Sequence, residues 1–122
     1  MKIICITPVA HLNGIIQKLE SFGEVDFSED IEKTELIHKI NNNNYDVIFC
    51  NPNKQTFVLD EMVLKNFKGT ILTASTGLNH IDVKYCEDND INVLSHKNDI
   101  EFLEQLPSTA ELAFGLMVSL IR

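Results

Sequence analysis

The sequence has little positive charge. Its 122 residues include 10 Lys and Arg against 18 Asp and Glu, which gives a formal net charge of −8 at pH 7. A surface that binds nucleic acid or an anionic membrane needs clustered Lys and Arg side chains. We therefore expect neither nucleic acid nor a membrane among the partners of this chain.

Cysteine is scarce as well, and the 3 cysteines lie far apart, as Cys5, Cys50 and Cys86. Because a zinc site or a disulfide framework requires CxxC or Cys/His spacings that this sequence does not contain, neither is expected and no metal site is predicted. Cys5 and Cys50 lie within apolar runs, where a thiol behaves as a small hydrophobic group. Free thiols fit a reducing compartment, so we expect a cytoplasmic location.

Long hydrophobic runs are absent too. The longest apolar stretch extends from Ala110 to Ile121, in which only Glu111 and Ser119 have polar side chains. It falls well short of the ~20 residues that a membrane-spanning helix needs. It is also too apolar for a surface helix, which would show a charged face opposite its apolar stripe. This terminal helix is therefore expected to be covered on two sides, as part of a larger assembly.

Apolar runs typical of strands alternate with segments whose apolar residues recur at helical spacing. The predicted strands are residues 2–6, 24–27, 45–50, 70–74 and 91–94. The predicted helices are residues 12–22, 30–40, 58–67 and 82–88, with one or two further turns in 100–106. Strict alternation with short connections predicts a parallel sheet covered on both faces. Right-handed crossovers then predict a three-layer, flavodoxin-like α/β fold.

Ligands of such folds bind outside the carboxyl ends of the strands. Three predicted loops lie there, at residues 7–11, 51–55 and 75–79. The third loop, with the sequence STGLN, directly follows a buried strand. Gly77 would permit a turn that points successive N–H groups outward, which makes a nest for a carboxylate or a phosphate. An ordinary turn without a ligand is the alternative for such a loop.

A resemblance to a known family rests on three segments: residues 75–82 (STGLNHID), 91–93 (INV) and 107–122 (PSTAELAFGLMVSLIR). The first two resemble the substrate loop of the NAD-dependent D-isomer-specific 2-hydroxyacid dehydrogenases, and the third resembles that family's interdomain helix. The resemblance covers essentially the whole chain. It implies that residues 1–106 are an incomplete flavodoxin-like substrate domain. Residues 107–122 would be the first helix leading into a Rossmann NAD-binding domain absent from this sequence.

The resemblance implies a substrate-binding role for four residues. The backbone N–H groups of Ser75, Thr76, Gly77 and Leu78 would hold the carboxylate of a 2-hydroxy or 2-keto acid in the complete enzyme. His80 stands at a variable position of the family and is expected to be a surface histidine at the start of a helix. The following Asp, at position 82, is expected to cap that helix.

Further roles are implied for residues outside this loop. Asn53 and Lys54 match a substrate-proximal loop after the third strand, although an isolated loop lysine such as Lys54 is more often simply solvated. Thr109 matches a position near the nicotinamide end of the cofactor, with a plain helix residue as the alternative. The resemblance also implies a homodimer formed through the helix from Pro107 to Arg122.

The cofactor site of the family is missing. It requires a G-x-G-x-x-G run after a strand, and the 5 glycines here are far apart. The family's catalytic Arg, Glu and His lie in or after the Rossmann domain. We therefore hypothesise that the chain is the N-terminal part of an oxidoreductase that acts on the CH–OH group of D-2-hydroxy acids with NAD as acceptor. NAD is expected to bind the complete enzyme but not this chain alone, which should be inactive.

Two hypotheses from other classes stay open. The chain would be a non-catalytic binding or dimerisation module if its terminal helix mediates self-association or pairing with a longer homologue. It would be a receiver-like signalling domain if an Asp ended the third predicted strand. Cys50 and Asn51 occupy that place, so the sequence shows no phosphoacceptor.

Overall fold

A computed structural model describes residues 1–52, 57–106 and 108–120. The strands are β1 (Lys2–Cys5), β2 (Glu24–Phe27), β3 (Val47–Cys50), β4 (Thr70–Thr73) and β5 (Asn92–Leu94). The helices are α1 (Ile15–Glu20), α2 (Lys33–Asn42), α3 (Glu61–Leu64), α4 (Val83–Asp88), α5 (Ile100–Glu104) and α6 (Ser108–Leu120). A single 3-10 turn, His96–Asn98, precedes α5.

All five strands are parallel and lie in the order β2-β1-β3-β4-β5. This order confirms the predicted flavodoxin-like fold, in which the chain first winds from β1 to β2 and then returns across β1 to β3. Ile4 of β1 is in register with Ile48 of β3, which is in register with Ile71 of β4. The three isoleucines are fully buried and form the centre of the core.

Helices α2 and α3 cover one face of the sheet with apolar side chains at the predicted spacing, whereas Leu72 of β4 is exposed on the other face, where the sequence predicts cover. Leu36 and Ile40 of α2 and Val63 and Leu64 of α3 are buried in the same core cluster as the central strands. At roughly 1.5–3 kcal/mol for each fully buried aliphatic side chain, this cluster is the main source of stability.

The cysteines behave as the apolar runs predict. Cys5 on β1, Cys50 on β3 and Cys86 on α4 are free and buried. Burial raises the pKa of the Cys50 thiol to about 12 and that of Cys86 to about 11. Both thiols are therefore protonated at neutral pH and behave as small core groups.

Three helices begin later than the sequence predicts. The first, α1, begins at Ile15 because residues 9–12 form a turn and Gly14 adopts a left-handed φ of 78° just before the helix. The second, α2, begins at Lys33 because a turn that joins Ser28 to Ile31 precedes it.

The third, α3, begins at Glu61 rather than near Val58. Leu59 pairs with Ile81 in an isolated parallel bridge, so the backbone there is extended. Asp60 then caps the helix by accepting a hydrogen bond from the backbone N–H of Val63. The apolar periodicity of residues 58–67 therefore spans a bridge, a cap and a short helix.

The last helix, α6, exposes the apolar surface that its sequence predicts. Every side chain from Glu111 to Ser119 is exposed, and Leu112 and Phe114 expose 64% and 65% of their surface. Of the helices that the structure describes, none has both the length and the apolar character needed to cross a membrane.

A polar cluster links β2 to α2 and to Tyr45, which lies two residues before β3. The Asp26 carboxylate accepts hydrogen bonds from Lys39 Nζ at 2.8 and 2.9 Å, from the Tyr45 hydroxyl at 2.6 Å and from the Ser28 hydroxyl at 2.8 Å. Burial alone would raise the pKa of Asp26, but hydrogen bonds from Lys39, Tyr45 and Ser28 outweigh it and hold the pKa below its ordinary value. The native state therefore favours the charged carboxylate.

Replacing Asp26 with asparagine is expected to lower the free energy of unfolding by about 1.5–3 kcal/mol at pH 7, the usual contribution of a hydrogen-bonded charged group. Because the folded-state pKa lies below 3.8, the contribution of Asp26 is present above pH 3.8 and is lost as the pH falls toward the folded-state value. Urea unfolding from pH 2 to pH 7 measures both effects.

The matched control is Asp88→Asn, which changes an exposed carboxylate at the end of α4. The control should shift the free energy of unfolding by less than about 0.5 kcal/mol. An Asp26→Asn protein as stable as the control would contradict this account of the cluster.

Candidate functional site

The carboxyl ends of β1, β3 and β4 bring two of the predicted loops together at one edge of the sheet. A cavity of about 140 Å³ lies there and is lined by Thr7, Val9, His11, Asn51 and Ala74, among others. Thr7 and Val9 are buried, so the loop after β1 forms a fixed wall of this cavity.

A second cavity, of about 260 Å³, lies on the other side of Ala74 and is lined by Ser75, Thr76, His96, Phe102 and Leu106. The His96 ring stacks on Phe102, with 4.8 Å between the ring centroids, and His96 Nδ1 lies 3.7 Å from Asp99 Oδ2. His96 is partly buried and contributes a polar ring to this wall. Since Ala74 lines both cavities, the loop after β4 lies at their junction.

The loop after β4 is held by its own hydrogen bonds. The Ser75 hydroxyl donates to the Gly77 carbonyl at 2.9 Å, and the Ile81 N–H donates to the Leu78 carbonyl at 2.9 Å. The backbone N–H groups of Thr76, Gly77 and Leu78 donate to no residue in the part of the chain that the structure describes. Three successive donors thus remain available for an anion.

The loop does not need a left-handed backbone at Gly77. Among the described glycines only Gly14 and Gly23 have a positive φ. A Cβ added at Gly77 meets no described atom within 4 Å. Other residues could therefore adopt this backbone conformation, and the glycine leaves open space beside the loop.

The prediction of a surface histidine at position 80 is wrong. His80 is only 7% exposed, and its Nε2 lies 3.0 Å from the Thr73 hydroxyl oxygen. The His80 carbonyl accepts a hydrogen bond from Leu59 N–H at 2.9 Å, next to the bridge between Leu59 and Ile81. These contacts draw residue 80 into the fold. Burial lowers the pKa of His80, which favours the neutral ring.

The expected cap of α4 is confirmed. The Asp82 carboxylate accepts a hydrogen bond from the Tyr85 N–H at 3.0 Å, so this carboxylate has a structural role in starting the helix. Ser75, Thr76, Gly77 and Leu78 form one continuous loop, as their sequence order requires.

Three predicted site residues lie apart from this loop in the sequence: Asn53, Lys54 and Thr109. Asn53 and Lys54 lie outside the described residues. Thr109 lies in the first turn of α6. In residues 1–52, 57–106 and 108–120, no group of three or more His, Cys, Asp or Glu side chains is arranged to hold a metal ion.

The fold is a parallel α/β domain with the candidate loop at one edge of its sheet, and the comparison with known families identifies the family. Residues 5–112 match the family described as D-isomer specific 2-hydroxyacid dehydrogenase, catalytic domain. The chain belongs to this family. No curated protein sequence matches the chain.

Three solved structures are similar. The PH0520 protein from Pyrococcus horikoshii OT3 has a TM-score of 0.64 and 22% identity, over 77% of this chain and 27% of that one. An acyclic imino acid reductase (Bsp5), solved in complex with NADPH and D-Arg, has a TM-score of 0.61 and 26% identity, over 78% and 30% of the two chains. A glyoxylate reductase from Paecilomyes thermophila has a TM-score of 0.64 and 18% identity, over 78% and 31%. The chain therefore spans less than a third of the length of each.

Replacing Gly77 with alanine is expected to leave the fold intact, since the new Cβ meets open space and the backbone lies outside the left-handed region. The free energy of unfolding should stay equal or rise by up to about 1 kcal/mol, because alanine restricts the unfolded chain. Gly69→Ala is the matched comparison, since its Cβ would overlap the Asp46 carbonyl oxygen.

The Gly69→Ala protein should lose about 1–3 kcal/mol, the usual cost of forcing extra atoms into a packed site. Urea unfolding of the two variants measures the difference. An equal loss in both would show that the backbone at position 77 is also strained.

Proposed function

We propose that this chain is the substrate-binding lobe of an NAD-dependent oxidoreductase that acts on the CH–OH group of D-2-hydroxy acids or reduces the matching 2-keto acids. In this proposal residues 1–106 form the substrate domain and residues 107–122 form the helix that leads into a Rossmann domain. The observation that carries the proposal is the set of backbone N–H donors at Thr76, Gly77 and Leu78, which have no acceptor among the described residues, in a chain of this family. A cytoplasmic location is consistent with the three free thiols.

The proposed ligand of this loop is the carboxylate of the acid. Fixed backbone dipoles stabilise a carboxylate without burying a second charge beside it. The segment from Thr73 to Ile81 contains no Asp or Glu, so an anion there meets no like charge from the loop itself. The Ser75 hydroxyl is engaged with the Gly77 carbonyl and serves to shape the loop. Asn53 and Lys54 are proposed to contribute from the loop after β3, where a lysine would attract the anionic substrate.

In the part of the chain that the structure describes, the connection from β1 to α1 does not fit a dinucleotide. A pyrophosphate needs a glycine turn that connects a strand directly to the start of a long helix. Here β1 ends at Cys5, α1 starts only at Ile15, and Pro8 between them has no N–H to offer. We propose that the cofactor is held by residues other than these, with Thr109 near its nicotinamide end, and that the chain alone is catalytically inactive.

Backbone-amide NMR of the ¹⁵N-labelled chain tests the proposal. Titration with D-lactate and with pyruvate to about 100 mM, well above the usual KM range, should shift the amide signals of Thr76, Gly77 and Leu78. The methyl esters of the same acids should not, because they lack the charge. Shifts that occur elsewhere, or none at all, would refute the site. Reduction of pyruvate by NADH with the purified chain would refute the proposed inactivity.

A second function is favoured by the surface of α6. Leu112, Phe114, Leu116 and Met117 are each more than half exposed, an apolar area typical of an interface rather than of a free surface. We propose that this helix mediates a homodimer or pairs with a longer homologue. The two proposals are compatible, since a dimerising substrate lobe fits both.

Replacing Phe114 and Met117 together with lysine is expected to convert a dimer into a monomer, because lysines on this face cannot be buried at low cost. Sedimentation velocity at about 100 μM, where interfaces of micromolar affinity are populated, measures the oligomeric state. Met62→Lys is the control, since Met62 is an equally exposed methionine on α3. A monomeric parent chain, or dissociation by Met62→Lys as well, would overturn the assignment to α6.

A further inference from the structure

A chain of side-chain hydrogen bonds lies beneath the loop after β4. Thr73, the last residue of β4, is 1% exposed, and its hydroxyl oxygen lies 2.8 Å from the Ser75 hydroxyl and 3.0 Å from His80 Nε2. The Ser75 hydroxyl in turn lies 2.9 Å from the Gly77 carbonyl oxygen. The chain therefore runs from a buried histidine to the backbone of the proposed carboxylate loop.

The chemistry of the four groups determines which atom donates at each step. The Gly77 carbonyl can only accept, so the Ser75 hydroxyl must donate to it. The single hydroxyl proton of Ser75 is then used, and the short contact with Thr73 requires Thr73 to donate to Ser75. With its own proton used, the Thr73 oxygen can only accept, both from the Cys50 thiol that it also contacts and from His80, which requires a proton on His80 Nε2.

If the hydrogen bonds ran in the opposite direction, the loop would lose the hydrogen bond from Ser75 to the Gly77 carbonyl. If His80 carried its proton on Nδ1, its Nε2 would accept from Thr73, and Thr73 would accept from Ser75. The Ser75 proton would then point away from Gly77, and its carbonyl would lose this partner. The tautomer of His80 thus determines whether the Ser75 hydroxyl donates to the Gly77 carbonyl and holds the loop.

We propose that His80 is a positioning residue for the loop after β4: as the Nε2 donor, it sets the direction of the hydrogen bonds through Thr73 and Ser75 that hold the Gly77 carbonyl. Because the Gly77 carbonyl and the Leu78 N–H share one peptide plane, holding this carbonyl orients the Leu78 N–H directly and restricts the loop that carries the N–H groups of Thr76 and Gly77. The inference deepens the proposed function and rests on it for the ligand, but the hydrogen-bond direction does not depend on any ligand. Burial favours the neutral ring, in which one nitrogen donates and the other accepts.

The tautomer is measured first, in the full 122-residue chain without any ligand. Long-range ¹H–¹⁵N NMR at pH 7.5 should show that His80 Nε2 carries the proton and Nδ1 does not. A proton on Nδ1 alone would overturn the proposal. Because this readout needs no acid, it decides the positioning role even if the chain binds no carboxylate, and so separates its failure from that of the proposed function.

Two substitutions at His80 distinguish the effect of losing its hydrogen-bond donor from the effect of changing its packing. His80→Leu keeps an apolar side chain but removes the donor, whereas His80→Gln restores an N–H donor at the reach of Nε2. His80→Leu should move the amide signals of Thr76, Gly77 and Leu78 and weaken binding of pyruvate about fivefold to tenfold, the usual value of one hydrogen bond. His80→Gln should restore both to within about threefold. Equal effects of Leu and Gln would overturn the proposal.

A second variant decides the matter if His80→Leu does not fold. Thr73→Val keeps the shape of the buried side chain and removes the hydroxyl that joins His80 to Ser75. It should move the same three loop amides as His80→Leu while leaving the distant amides of α2 unchanged. Unmoved loop amides in a folded Thr73→Val protein would show that the hydrogen-bond chain does not position the loop.

Discussion

Burial of the central strands on the face that packs against α2 and α3 constrains this molecule more than any other interaction. Ile4, Ile48 and Ile71 are in register across β1, β3 and β4 and are fully buried. A slip of one residue in any of these strands would turn its isoleucine to the opposite face and displace its end by about 3.3 Å. The same register therefore sets the core and determines where the loops after β1, β3 and β4 begin. The two cavities around Ala74 follow from this alignment.

The order of strands could be predicted because it depends on local pattern and on a general rule of handedness. Short apolar runs alternate with helical periodicity throughout residues 1–94, and right-handed crossovers leave few ways to wind such a chain. The helix starts were predicted less well, because turn geometry rather than apolar spacing determines them. Gly14 and the bridge at Leu59 are the two clearest cases. Both depend on residues that a periodicity search treats as ordinary helix positions.

The candidate site, too, could be predicted only in part. The loop of Ser75, Thr76, Gly77 and Leu78 was found from its place after a strand and from its family resemblance. The burial of His80 was missed because it results from contacts with Leu59, which is distant in sequence. The only local signal of this burial is that a polar residue stands between the substrate-loop motif and Asp82, which caps α4. A sequence does not reveal whether a glycine provides a special φ or open space, and at position 77 the structure shows open space without a positive φ.

The three cysteines lie on separate parts of the fold, namely β1, β3 and α4, and each is buried with a raised pKa. An alkylating reagent attacks a thiolate, so it reaches these sulfur atoms only when the surrounding structure opens. The rates at which the three sulfur atoms are alkylated under native conditions thus report local opening of the sheet centre and of α4 independently. The three native cysteines can therefore serve as chemical probes of which part of the domain opens first.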